Sequence, residues 1–342
     1  MKKRLLIAAV VVLAVLFAAR PAFAYSGGVW FSWSSTETTA TFIFHDTAGT
    51  ADKHILTINN RTYEAKDRIT VKGLGKSKIY KAAVIPEKNG EKGTPYSQYI
   101  CTRPKKKMSR ALKKDIQKRI AKGQTEIVLK APVDSDEMDN YLDVYRIAYP
   151  MQFMAKRVAC ERGSGTDGRY SANGSKAPWI SDVIVVQAGD HGDAAEAKKI
   201  EKAVAGYVNA AKKGKTTRKK LWNVYNRMAK LCHYDWKGYN AYFKYEQGLK
   251  GGKNDPSIFK PETILLKHKG VCQAYAESYT AIVTRMGIEA ETVVDTSPKV
   301  DHAWCKVKVG KKWYYIDPTR GDYGKKGSKK WFMKRSMHGH KL

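Results

Sequence analysis

The sequence predicts an α+β fold: a helix packed on an antiparallel sheet, preceded by an α/β extension and a small N-terminal β-sandwich. Three observations predict it. Between residues 25 and 103, short β-prone runs alternate with turn residues. From Cys272 onward, apolar residues recur at helical spacing. Residues 288–317 then read as short strands joined by turns. The chain has 342 residues, enough for two or three domains at roughly 100–200 residues each. Four segments are expected: 1–24, 25–103, 104–215 and 216–342.

Residues 1–24 read as a cleaved export signal. Lys2, Lys3 and Arg4 precede an apolar run, 5–19, that is short for a membrane span. Ala22-Phe23-Ala24 supplies a small-x-small cleavage site. An uncleaved anchor is the alternative. Tyr25, not a cysteine, follows the cut, which argues against a lipoprotein. The expectation is a secreted, extracellular protein with no transmembrane anchor after cleavage. The formal net charge is +31, with short basic clusters at 105–107, 212–220 and 325–335. Such a charge suits anionic partners, namely nucleic acid, phosphate-rich polymers such as those of a cell wall, or acidic membrane surfaces; a basic surface kept for solubility is the alternative. Nothing in the chain carries a nucleic-acid-binding motif, so no specific nucleic-acid partner is expected.

In the 25–103 segment, Thr39-Ala40-Thr41-Phe42-Ile43-Phe44 and Ile55-Leu56-Thr57-Ile58 are strand-like, with Asn59-Asn60 as a turn. Ile69-Thr70-Val71, residues 79–85 and residues 96–101 follow. The outline is immunoglobulin- or fibronectin-like. His45 and His54 lack metal-ligand spacing and read as surface residues. Arg103-Pro104-Lys105-Lys106-Lys107 reads as a linker. The extension then offers a helix capped by Ser109 and stopped at Gly123, and a strand at 126–129. A helix from 135 carries Met138, Leu142, Tyr145 and Ile147. A Gly/Ser-rich loop (163–177), a strand (180–186) and a helix (194–211) complete it. Thr216 or Thr217 caps a helix with Leu221, Val224, Tyr225, Met228 and Leu231 on one face. Residues 248–261 read as loop.

The chemistry centres on Gly270-Val271-Cys272-Gln273-Ala274-Tyr275-Ala276-Glu277. Ala274, Tyr275, Ser278, Tyr279, Ile282, Val283 and Met286 define a core-facing helix, with Gly287 past its end. Cys272 therefore sits at a helix start, where unpaired N–H groups and the helix dipole favour a thiolate. Downstream, the strand from 301 to 309 puts His302, Trp304, Lys306 and Lys308 on one face. Ala303, Cys305, Val307 and Val309 lie on the other. Gly310-Lys311-Lys312 turns the chain into residues 313–317, so the hairpin can bring Asp317 beside His302. Nucleophile, base and orienting acid follow in the order Cys272, His302, Asp317.

Gly270-Val271-Cys272-x-Ala274-Tyr275-Ala276, His302-Ala303-Trp304 and Trp313-Tyr314-x-Ile316-Asp317-Pro318-Thr319 resemble the three motif blocks of the transglutaminase-like superfamily. Tyr234-Asp235 resembles the segment preceding the catalytic loop. Trp331-Phe332 and residues 336–338 resemble the usual C-terminal stretch. The resemblance is specific over 216–342, loose over 105–215 and absent from 25–103. It implies a papain-like core and acyl-enzyme chemistry by Cys272 on a peptide or carboxamide, with no cofactor and no metal. It also implies an oxyanion site at the Cys272 N–H; Gln273, Tyr239 and Trp304 are candidates for the second donor or for supporting roles. Cys305 departs from the family, where a polar residue is commoner. The substrate implied is a protein or cell-wall peptide, with hydrolysis favoured over cross-linking. The competing reading is a non-catalytic envelope-binding protein using its basic surface and the β-sandwich.

Of five cysteines, Cys101, Cys160, Cys232 and Cys305 can pair in three ways, with Cys232–Cys305 the attractive pair within the core; the alternative is that all are reduced, small apolar core residues. His338-Gly339-His340 reads as a mobile tail rather than a metal site. His191 and His233 have no partners at ligand spacing. Glu277, one turn past Cys272, reads as structural or as a supporting acid.

Overall fold

A computed structural model describes residues 28–105, 107–156, 158–162, 181–187, 193–321 and 327–342. The export signal 1–24, the loop 163–177 and His191 lie outside the described residues. Two compact units result. One comprises 28–32, 41–70 and 81–98, the other 33–40, 71–80 and 99–342.

The N-terminal strands are β1 (Val29–Ser35), β2 (Thr39–Asp46), β3 (Lys53–Ile58), β4 (Arg61–Ala65), β5 (Arg68–Lys72), β6 (Ile79–Lys88), β7 (Glu91–Lys92) and β8 (Tyr96–Cys101). They form one sheet ordered β1-β2-β5 and another ordered β4-β3-β6-β7, with β8 also on β6. The arrangement resembles a fibronectin-like β-sandwich. Period-2 alternation drives it: Ala40, Phe42 and Phe44 of β2 are buried, with Thr39, Thr41 and Ile43 between them more exposed. Asn59 and Asn60, both at positive φ (52° and 58°), make the tight β3–β4 turn. His54 differs from its surface expectation. It is buried, stacks on Phe44 at 5.0 Å and bonds the Lys66 carbonyl through Nδ1.

The rest of the chain begins with α1 (Arg110–Ala121), β9 (Glu126–Asp134), α2 (Ser135–Ala148), α3 (Pro150–Phe153), β10 (Val158–Arg162) and β11 (Ser181–Gln187). Ser109 caps α1 by accepting from the Leu112 N–H, and Asp134 caps α2. The sheet β10-β11-β9 and the two long helices share a core of Ile116, Ile127, Met138 and Val185.

Next come α4 (Ala194–Lys212), α5 (Thr217–Leu231), β12 (His233–Tyr234), α6 (Trp236–Glu246), β13 (Lys269–Gly270) and α7 (Cys272–Arg285). The last strands are β14 (Ala290–Asp295), β15 (His302–Val309), β16 (Lys312–Ile316), β17 (Phe332–Lys334), β18 (Ser336–Met337) and β19 (His340–Lys341). The sheet β14-β15-β16-β17 is antiparallel. Helix α7 is buried almost all round, as a central helix must be when its polar face is this small. Ala303, Cys305 and Val307 of β15 join Ala276, Tyr279 and Val283 of α7 in one core.

One element adds to the sequence reading, which assigns no helix or strand to 236–246, and one candidate pairing is settled. Residues 236–246 form α6, capped by the Asp235 carboxylate on the Gly238 N–H. None of its residues is buried, so it has no core-facing period for sequence reading to detect. Cys232 and Cys305 are not bridged. The Cys305 thiol donates to the Ala276 carbonyl at 3.1 Å, whereas Cys232 lies 3.6 Å from the Tyr207 hydroxyl. No helix among the described residues is long and apolar enough to cross a membrane.

Candidate active site

Cys272 begins α7 because the chain before it is pinned. The Val271 N–H donates to the Ile258 carbonyl and the Asp235 N–H to the Gly270 carbonyl, both at 3.0 Å. Gly270 allows a close approach: a Cβ there would lie 3.0 Å from Ala274 Cβ and from Thr263 Oγ1, so these neighbours would have to give way. Val271, the N-cap residue, is extended and offers no capping side chain. The first-turn amides of α7 thus keep their attraction for negative charge at the half-buried Cys272.

The antiparallel register supplies the partner groups. Cys305 pairs with Ile316, so Asp317 lies opposite Trp304 and diagonal to His302, within reach on the same face. His302 Nε2 donates to Asp317 Oδ2 at 2.9 Å. The imidazole also lies close enough to the Cys272 side chain for the thiol to raise its pKa, and with Nε2 on Asp317, Nδ1 is the nitrogen left for the thiol. Burial alone would lower the imidazole's pKa. The influence of Asp317 and Cys272 outweighs it, and His302 is pushed up to about 9. Burial opposes ionisation of Asp317, yet its two imidazole partners and the Arg320 N–H hold it below the usual carboxylate range.

The supporting candidates separate. Gln273 Nε2 donates to Glu277 Oε1 at 2.8 Å, along the helix. Burial and the nearby Asp143 and Glu262 push Glu277 up to about 7, despite that bond. Trp304 is fully buried; its Nε1 has no partner among the described residues, and its ring supports His302 at 6.1 Å and His338 at 4.9 Å. Tyr239 lies 6.3 Å, ring to ring, from Tyr234. Tyr234 is the residue that neighbours Cys272, with its phenol close enough for the thiol and the Cys272 N–H to act on its ionisation. Burial first, then the neighbouring Cys272, raises its pKa. The parallel pairing of Tyr234 with Gly270 holds it there. The Tyr234-Asp235 dipeptide was the available signal, since Asp235 caps the next helix.

His338 also joins the site. Met337 pairs with His340, and the two turn residues, His338 and Gly339, have φ of 50° and 83°, a type I′ hairpin geometry. The segment expected as a mobile tail is therefore a hairpin. His338 Nε2 donates to Asp317 Oδ2 at 2.8 Å, and the ring stacks on Trp331 at 5.2 Å. His340 bonds Asp295 at 2.8 Å. His302, Asp317 and His338 present ligand atoms all within 4.8 Å of one another.

Residues 207–318 match the family model of the transglutaminase-like superfamily. This segment is a transglutaminase-like domain. It contains Cys272, His302 and Asp317, and its superfamily supports a cysteine-based enzyme. Among solved structures, the chain is similar to one titled a crystal structure of a TGase, at 14% identity over 76% of this chain and 73% of that one, TM-score 0.32. It is also similar to the fibronectin type-III domain of human fibronectin type III domain containing protein 3, at 18% identity over 27% and 98%, TM-score 0.21. The central fibronectin-III array of RIM-binding protein is similar at 19% over 23% and 32%, TM-score 0.19. No curated protein matches the chain. Within the transglutaminase-like domain, Tyr234 is the side chain that sequence reasoning did not place at the thiol; His338 lies beyond the matched segment.

Proposed function

We propose that the protein is an exported cysteine enzyme that opens peptide or carboxamide bonds through a thioester on Cys272, by hydrolysis more than by cross-linking. The observation that carries this reading is His302, bonded to Asp317, beside Cys272, and raised by both to a pKa of about 9. His302, as the imidazolium, holds the proton given up by the thiol; the thiolate attacks the carbonyl carbon, and negative charge grows on the carbonyl oxygen. That oxygen accepts from both the Cys272 N–H and the neighbouring Tyr234 hydroxyl. His302 returns its proton to the departing amine or ammonia. Water, deprotonated by His302, cleaves the thioester and regenerates the thiol. Export rests on the N-terminal segment, and a protein or cell-wall peptide substrate on export together with the basic charge.

Iodoacetamide at neutral pH should label Cys272 far faster than a model thiol, and Cys272→Ala should lose about 10⁴-fold or more in turnover of wall peptides or proteins. Equal labelling rates, with activity retained in the alanine variant, would remove the nucleophile from the reading. Mass spectrometry of products with and without a primary amine separates hydrolysis from transfer. Tyr234→Phe should lower kcat by about 10²–10³-fold with little change in KM, as for loss of one oxyanion donor; steady-state kinetics on the same substrate check it.

A further inference from the structure

We propose that His302, Asp317 and His338 form a transition-metal site, of the zinc class, whose occupation switches the thiol enzyme off. The chemistry of the donor set supports it: two imidazoles and one carboxylate are a common zinc ligand combination. Their placement supports it too. Asp317 Oδ2 lies 2.9 Å from His302 Nε2 and 2.8 Å from His338 Nε2. Tetrahedral ligands at roughly 2.0–2.1 Å from zinc stand about 3.3 Å apart, so shifts of a few tenths of an ångström at each contact make room for the ion. Asp317 is wholly buried and both imidazoles are about nine-tenths so, and the type I′ hairpin fixes His338 over the carboxylate.

The ion takes the place of the two bridging protons. Each neutral imidazole binds the metal through Nε2 and carries its proton on Nδ1; any imidazolium first releases one proton to solvent. At His338 this exchange has no chemical consequence. At His302 it does, because Nδ1 faces Cys272. An N–H there cannot take the thiol proton, so the base is blocked while the fold is kept. His338, which the acyl-transfer steps do not need, is explained by this role.

The binding half of the proposal is independent of the proposed activity; the inhibitory half rests on it. Cobalt(II) titration of the full chain carrying Cys272→Ala removes the competing thiol site. A single bound Co²⁺ is expected, with visible ligand-field bands and no sulfur-to-cobalt charge-transfer band. Adding His338→Gln keeps a hydrogen-bond donor toward Asp317 but removes the ligand. Its affinity should fall by more than the ~10–100-fold typical of losing an outer-shell partner, with circular dichroism unchanged. No Co²⁺ bound by the Cys272→Ala protein, or equal affinity after His338→Gln, overturns the site. In the wild type, Zn²⁺ should inhibit turnover reversibly, with chelator restoring it. Full turnover at a Zn²⁺ concentration that fills the site overturns the inhibitory half alone.

Discussion

Asp317→Asn is expected to lower kcat about 10⁴-fold, the scale seen when a triad carboxylate loses its charge but keeps its shape. The local geometry makes the loss severe. Oδ2 accepts from both His302 and His338, and Oδ1 accepts from the Arg320 N–H. An amide offers one acceptor oxygen for these three donors and turns its NH₂ against the others. The charge matters as well. In the native site His302 is raised from 6.5 to about 9. Its contribution to stability is fully present below pH 6.5 and is lost as pH rises through about 9. The catalytic imidazolium needed by the leaving amine disappears over the same alkaline limb, so kcat/KM of the wild type should fall near pH 9. In Asp317→Asn that limb should move to lower pH. A pH–rate profile of both proteins checks it; an unmoved limb would mean that Asp317 does not hold the proton on His302.

Trp304→Ala should have the largest effect on stability, about 3–5 kcal/mol, the range for deleting a large buried aromatic. Trp304 has no exposed surface and touches Tyr315, His302, His338 and His340. Truncation leaves a cavity beneath both imidazoles on Asp317. Denaturant unfolding should give a lower midpoint at unchanged slope, and activity should drop even where the protein remains folded. Trp304→Phe fills part of the space and should recover much of both. A cost below about 1 kcal/mol would show that the site collapses onto the gap.

How legible these features are depends on period and distance. Helix α7 and strands β15 and β16 are readable because buried side chains repeat along them with one spacing: Ala303, Cys305 and Val307 face the helix, while His302 and Trp304 face the other way. That same alternation places Asp317 within reach of His302. Tyr234 is not readable in this way. A strand of two residues has no period, and its partner Gly270 follows only after α6 and the turns at 256–267. His338 hides for a related reason. Its hairpin strands have two residues each, and histidine stands where a type I′ turn usually carries asparagine or glycine. Helix α6 has good helix ends but no buried face, so its aromatic residues resemble a loop. The separate partners of Cys232 and Cys305 depend on which way each thiol points in the packed core, which spacing does not encode.

The short parallel contact between β12 and β13 has a kinetic consequence. The β14–β15–β16 strands join through nearby residues, so their ordering closes small loops and comes early. Tyr234 comes beside Cys272 only after a long excursion is closed by the β12–β13 pairing and its flanking backbone bonds. On loop-closure grounds the acid–base pair is expected to form before the phenol reaches the sulfur, which faster amide exchange at Tyr234 and Asp235 than along β15 would show. The phenol that a substrate's carbonyl would meet is thus held across a longer loop than the one joining His302 to Asp317.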